Sequence, residues 1–284
     1  MRLVRYSTEG GTRSGVVVTV DEVDRVVDLG PAALTDLVAA GGDALDGAVA
    51  RADITHPELS SVQLEAPVRP GKILCLGYNY RGHVPDGVDP TADDPEFPDV
   101  FVKTPNTLRG PADAVVVPTV AADVDYEGEI AVVIGRRAKD IDEATALSHV
   151  AGYTILNDVS DRSWQRRQSQ WAMGKCFDGF APLGPWLVTP DEAGDPQDML
   201  VEVVRDGVVT VSQSTATTIF SVAYVVSYLS RVMTLEPGDV ISTGTPQKLP
   251  DAQAAHRPLR DGDAVTVRIS RLGELTTTFI GGPA

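Results

Sequence analysis

The chain has 284 residues, 43% hydrophobic and 23% charged, with a formal net charge of −16. This allows one large globular domain, or a large domain with a small companion, around a core of ordinary size. An acidic surface repels phosphate backbones, so no nucleic-acid partner is expected; a small anionic substrate stays admissible if its pocket carries its own cations.

Cys75 and Cys176 are too far apart for a disulfide framework, and no C-x-x-C is present. They read as two thiols in a reducing compartment. The opening MRLVRYSTEGG has no apolar signal core, and no run approaches the roughly 18 apolar residues of a membrane span. A cytoplasmic chain without a membrane partner is expected.

Residues 1 to about 30 alternate apolar and polar as MRLVRY, GVVVTV and RVVDLG, which predicts short strands around EGGTRSG. The patch PAALTDLVAAGGDALDGAVARA predicts helix, and 56–70 reads as a Pro- and Ser-rich linker. The predicted organisation is a small N-terminal α+β domain over 1–67 and a catalytic domain over 68–284. KILCLG opens the second part as a buried strand. The Pro- and Asp-rich stretch 83–98 suits neither helix nor strand, and its length marks it as a functional loop and a candidate lid.

Strands are then expected at DVFVKT, AVVVP, EIAVVIG, GYTILND and WLVT. A turn or helix is expected in DRSWQRRQSQWAMGK. LVEVVRDG paired with VVTVSQS, then DVISTG, AVTVRIS and ELTTTFI, complete the strands. One helix, IFSVAYVVSYLSRVMTL, is apolar at helical spacing. The fold class is therefore α+β and strand-dominated, without regular βαβ alternation.

The strongest chemical signal is Asp123-Val-Asp125-Tyr-Glu127-Gly-Glu129, running into IAVVIG. In an extended chain the four carboxylates share one face. Like charges entering a core raise one another's pKa unless a cation compensates, and all-oxygen ligands select Mg²⁺, Mn²⁺ or Ca²⁺ over zinc. A solvated loop is the competing reading, chiefly for Asp123 and Asp125. An EF-hand loop fails, because its twelfth position is Ile134. H-E-x-x-H and G-x-S-x-G are absent, and the glycines of Gly77-Tyr-Asn-Tyr-Arg-Gly82-His83 lack the lysine and hydroxyl of a P-loop. Asp158 ends GYTILND, where a turn residue or helix cap is the ordinary role.

KILCLGYNYRGH, DVFVKTPNTLRGP, DYEGEIAVVIG, HVAGYTILNDVSDR, MGKCFDGFAPLGPWLVT, FSVAYVVSYLSRVMTLEPGDVISTGTP and DGDAVTV occur in one order over about 70–284. As a set they resemble the fumarylacetoacetate hydrolase family. The resemblance implies a mixed, barrel-like β-roll with a small N-terminal domain, often a homodimer. It implies metal ligands Glu127, Glu129 and Asp158, leaving Asp123 and Asp125 in the second shell or solvated. It implies catalytic roles for His83, Asp86 (where glutamate is more familiar) and Lys175. Gln165 and Thr245 correspond to substrate contacts, with Lys103 and Arg162 as further candidates. The chain departs from the family's glycine-rich turn at Gly244-Thr-Pro-Gln247-Lys248, which bears on the substrate more than on the metal.

The expected function is Mg²⁺-dependent hydrolysis of a C–C bond in a small 2,4-dioxo acid such as an acylpyruvate. The alternatives are an isomerase or decarboxylase of a related oxo-acid and, from another class, a non-catalytic ligand-binding protein.

Overall fold

The structure is a computed structural model that describes residues 1–40, 42–84, 87–89 and 93–282. Strands dominate it, as expected. One open mixed sheet runs in the order Val23–Gly30, Gly11–Val20, Arg2–Thr8, Ala181–Val188, Val150–Asn157, Gly128–Ile134, Val240–Ser242, Ile73–Gly77, Asp99–Lys103. A second runs Val208–Ser214, Leu200–Arg205, Ala264–Ile269, Gly273–Gly281, Val115–Val117. The β-roll arises from one open sheet packed on another, and neither closes into a barrel.

The expected N-terminal unit shares the large sheet, because Arg2 and Leu3 pair with Val188 and Leu187. The segment read as a linker is not a free connector. Its Gln63–Glu65 strand pairs with Arg5, Tyr6 and Ser7. Glu65 also accepts hydrogen bonds from Ser7 and Thr12, each 2.8 Å long. Pro and Ser in the sequence announced irregular chain and concealed this short edge pairing. The helical patch is divided into Leu34–Ala40 and Gly42–Val49.

The expected long helix is Val222–Val232. It starts late because Ser221 caps it, accepting from the Tyr224 N–H at 3.1 Å. Val222, Val225, Val226 and Leu229 form its buried stripe.

The strand Gly128–Ile134 is buried throughout and positions the site. On one face Ala131 and Val133 join Ile73, Cys75 and Leu156 in the core of the large sheet. On the other, Ile130, Val132 and Ile134 pack with Val203 and Val267 of the second sheet. The second sheet lies so close that a Cβ on Gly128 would stand 2.6 Å from Val203 and 2.8 Å from Val267. Glycine between the two glutamates is thus a packing requirement of the sheet contact.

Gly128→Val should cost about 1–3 kcal/mol through overpacking. The measurement is the denaturant midpoint; an unchanged midpoint would show that the sheets do not meet there.

Candidate metal centre and active site

Local chain geometry brings six stretches of the chain to one cavity of about 650 Å³. The acid segment enters as the short strand Val124–Asp125, breaks at Tyr126 and Glu127, and resumes as Gly128–Ile134. Despite the break, Asp123, Asp125, Glu127 and Glu129 all line the cavity, as alternation requires. Gly128 pairs with Asn157, and the Asp158 N–H donates to the Glu127 carbonyl at 2.8 Å, which places the third acid beside the first two.

Asp161 starts the turn that carries the cations. Its carboxylate accepts from the backbone N–H of Trp164 at 2.8 Å and of Asp123 at 2.9 Å. This fixes the short helix Arg162–Gln165 against the acid segment. Lys175 ends the next helix, Ala172–Lys175. Gly174 lets the two helices meet, since a Cβ there would lie 2.6 Å from Asp161 and Gln165.

The result is a row of alternating charge. Lys248 pairs with Asp125. Arg162 reaches Asp125 at 3.0 Å and Glu127 at 2.6 Å. Lys175 bridges Glu127 and Asp158, at 2.6 Å each. Lys103, fully buried, holds the other oxygen of Asp158 at 2.6 Å and the Val159 carbonyl at 3.0 Å. Burial would raise the Glu127 carboxyl, but Arg162 and Lys175 outweigh it and hold it well below the usual range. Asp125 is lowered in the same way: burial opposes and Arg162 and Lys248 prevail.

Glu129 differs. Its carboxylate accepts from the Ser242 hydroxyl and from the Gly244 N–H at 2.9 Å. Among the described residues no lysine or arginine pairs with it. Burial, then Asp158 and Glu127, push its pKa well above the usual range. One ligand oxygen from each of Glu127, Glu129 and Asp158 lies within 4.8 Å of the others. An all-oxygen set with one uncompensated carboxylate fits a hard divalent cation.

His83 reaches the same cavity from the loop after Ile73–Gly77. Buried Asn79 ties that loop down, donating to the Thr243 carbonyl at 2.9 Å and accepting from the Phe220 N–H at 2.9 Å. His83 Nδ1 lies 2.8 Å from the Thr245 carbonyl. A carbonyl only accepts, so Nδ1 carries the proton and Nε2 is left with its lone pair. Burial lowers the imidazole pKa from 6.5, and the Thr245 contact offsets this only in part.

Of the expected substrate contacts, Gln165, Thr245 and Arg162 line the cavity, and Gln165 accepts from Arg162 at 2.9 Å. Lys103 does not reach the wall among the described residues; it supports Asp158 from behind. Asp86 lies outside the described residues. Sequence reasoning missed the partnership of Lys248 with Asp125 and the cavity position of Trp171. The departure at Gln247-Lys248 was the available signal for the first.

The fumarylacetoacetate (FAA) hydrolase C-terminal family model matches residues 72–280. The chain belongs to the fumarylacetoacetate hydrolase family. A relative from Burkholderia ambifaria (strain MC40-6), described as a candidate hydrolase, is 42% identical over 96% of this chain and 97% of its own. The fumarylacetoacetate hydrolase domain-containing protein 2 homolog of Dictyostelium discoideum is 40% identical over 76% of this chain and 74% of its own. Among solved structures, the fumarylacetoacetate hydrolase of Exiguobacterium antarcticum superposes with a TM-score of 0.82 at 34% identity, covering 99% of this chain and 100% of that one. The 2-hydroxyhepta-2,4-diene-1,7-dioate isomerase of Mycobacterium marinum gives 0.79 at 31%, with 100% of both chains covered. No helix among the described residues is long and apolar enough to cross a membrane.

Mg²⁺ at about 100 times its Kd stabilises a folded binder by about 2.7 kcal/mol. Glu129→Gln should fold and lose that stabilisation, read as the difference between thermal melts with Mg²⁺ and with chelator. An equal Mg²⁺ shift in parent and variant would remove Glu129 from the ligand set.

Proposed function

We propose that the protein is a metal-dependent hydrolase of the C–C bond between C3 and C4 of a small 2,4-dioxo acid. The observation that carries this reading is one cavity lined by Glu127, Glu129 and His83, with buried Asp158 converging on the two glutamates and His83 Nδ1 engaged by the Thr245 carbonyl, which leaves Nε2 its lone pair.

A divalent ion, taken as Mg²⁺, on Glu127, Glu129 and Asp158 supplies Lewis-acid stabilisation of the charge that develops on the 2-oxo head. Lys175 and Lys103 fix the Asp158 carboxylate, and Arg162 and Lys175 fix Glu127, so the ligand oxygens are held before substrate arrives. His83 Nε2 accepts a proton from water, while the Thr245 carbonyl holds the ring through Nδ1–H. The resulting hydroxide adds to the C4 carbonyl. When the C3–C4 bond breaks, its electron pair moves to C3, and a proton returned there completes pyruvate beside a carboxylic acid.

Isomerisation is the second reading, favoured by the similarity to the isomerase of Mycobacterium marinum and to the 5-carboxymethyl-2-hydroxymuconate delta-isomerase of Mycobacterium smegmatis, 32% identical with a TM-score of 0.81. It needs the same stabilised enolate, with a proton moved between carbons and no attack by water.

Incubation with acetylpyruvate and with oxaloacetate, with Mg²⁺ or chelator, separates the readings by product. Pyruvate plus acetate means hydrolysis, CO₂ means decarboxylation, conversion of an oxo-acid to an isomer of the same mass across a wider panel means isomerisation, and silence across that panel points to a binding protein. His83 stays neutral at pH 7, because its pKa lies below 6.5. Hydrolytic kcat/KM should therefore hold through neutrality and fall only on the acid side of that value. His83→Ala should lose about 100- to 10,000-fold in kcat and lose the acid limb; a variant that keeps the limb assigns the base elsewhere.

A further inference from the structure

The cavity wall around Gln247 and Lys248 bears on how the rest of the substrate is received. Arg162, Lys175 and Lys248 each have a carboxylate partner. Arg166 stands 3.7 Å from Asp123, which also takes the His256 Nε2 at 2.8 Å. Four lysines and arginines thus face four carboxylates on the wall, and Lys103 cancels Asp158 behind it. A second carboxylate at the tail would enter without a cation to receive it, which carries a desolvation cost.

Hydrogen-bonding capacity is not exhausted in the same way. Gln165, Gln168, Gln247 and Gln253 all line the cavity. Gln165 accepts from Arg162. Gln168 and Gln253 are exposed and solvated, whereas the half-buried Gln247 carboxamide meets no partner among the described residues. Carboxamides both donate and accept, which suits hydroxyl groups. Elsewhere the wall carries Phe101 and Trp171, with ring centroids 5.5 Å apart, an apolar surface for C–H faces.

We propose that the substrate's tail, beyond the 2-oxo head, is uncharged and hydroxylated, and that Gln247 is a specificity-determining residue for it. This rests on the 2-oxo acid reading of the metal end.

The test is calorimetry on the full chain with saturating Mg²⁺, using three six-carbon 2-oxo acids: 2-oxohexanoate, 2-oxoadipate and 2-oxo-3-deoxygluconate. The hydroxylated acid should bind at least about tenfold more tightly than the other two, the equivalent of about 1.4 kcal/mol. Gln247→Leu should remove most of that preference while the affinity for 2-oxohexanoate, which also reports the variant's folding, stays near the parent's. Equal or tighter binding of 2-oxoadipate, equal weakening of all three acids in Gln247→Leu, or no Mg²⁺-dependent binding of any would overturn the proposal. Pyruvate release from acetylpyruvate is read separately. Its absence with the binding order intact defeats the hydrolase reading alone; its presence with the order reversed defeats only the tail assignment.

Discussion

Lys248, Asp125, Arg162, Glu127, Lys175, Asp158 and Lys103 form an unbroken row of alternating charge from the cavity wall into the core. An ion taken out of water costs several kcal/mol unless a partner and further hydrogen bonds replace its solvation. Each interior member of this row has two oppositely charged neighbours, so its partners are shared and none can be removed without leaving another exposed to the low dielectric. The row also constrains the fold. Lys103 is the last residue of Asp99–Lys103, paired in register with Ile73. A slip of one residue would turn its side chain to the other face of the sheet and strip Asp158 of one ammonium.

Glu129 stands beside the row and outside its pairing. It lies on the same strand face as Ala131 and Val133, so it cannot turn to solvent without dragging the core with it. The neighbours that do meet it, Ser242 and Gly244, supply neutral donors only. The structure thus combines carboxylates already neutralised by protein cations with one that is not. This is a stronger indication of a cation site than the count of acids, because clustered acids that pair among lysines and arginines need no further ion.

Much of this was legible in the sequence. The alternation of Asp123, Asp125, Glu127 and Glu129 predicted a shared face, and the apolar run after them predicted that the face is buried. Both are physical consequences of the strand period. What alternation could not supply were the cations, since Lys103, Lys175 and Lys248 come from distant segments and no local pattern links them to the acids. The resemblance located Lys175 and Arg162 near the site, yet it cast Lys103 as a substrate contact, whereas its ammonium is enclosed behind Asp158. The short strand Gln63–Glu65 was hidden for a different reason: Pro and Ser flank it, and its hydrogen bonds go to residues some 60 positions away.

The two ends of the cavity are governed by different physics, and this bears on how one scaffold can host both hydrolysis and isomerisation. Around Glu127 and Asp158, ion pairs fix oxygens that would hold a cation, and on the proposed reading enolate stabilisation by that cation is common to both reactions. On the proposed mechanism the two differ in whether His83 activates a water, since isomerisation needs no attack by water. His83 is held through Nδ1 by the Thr245 carbonyl, and two residues further on Gln247 faces the same cavity. On the two proposals taken together, the segment that orients the base also carries the group that reads the tail. On the proposal that Gln247 reads the tail, a substitution at Gln247 changes that recognition while the ion pairs among Asp125, Arg162, Glu127, Lys175, Asp158 and Lys103 stay intact.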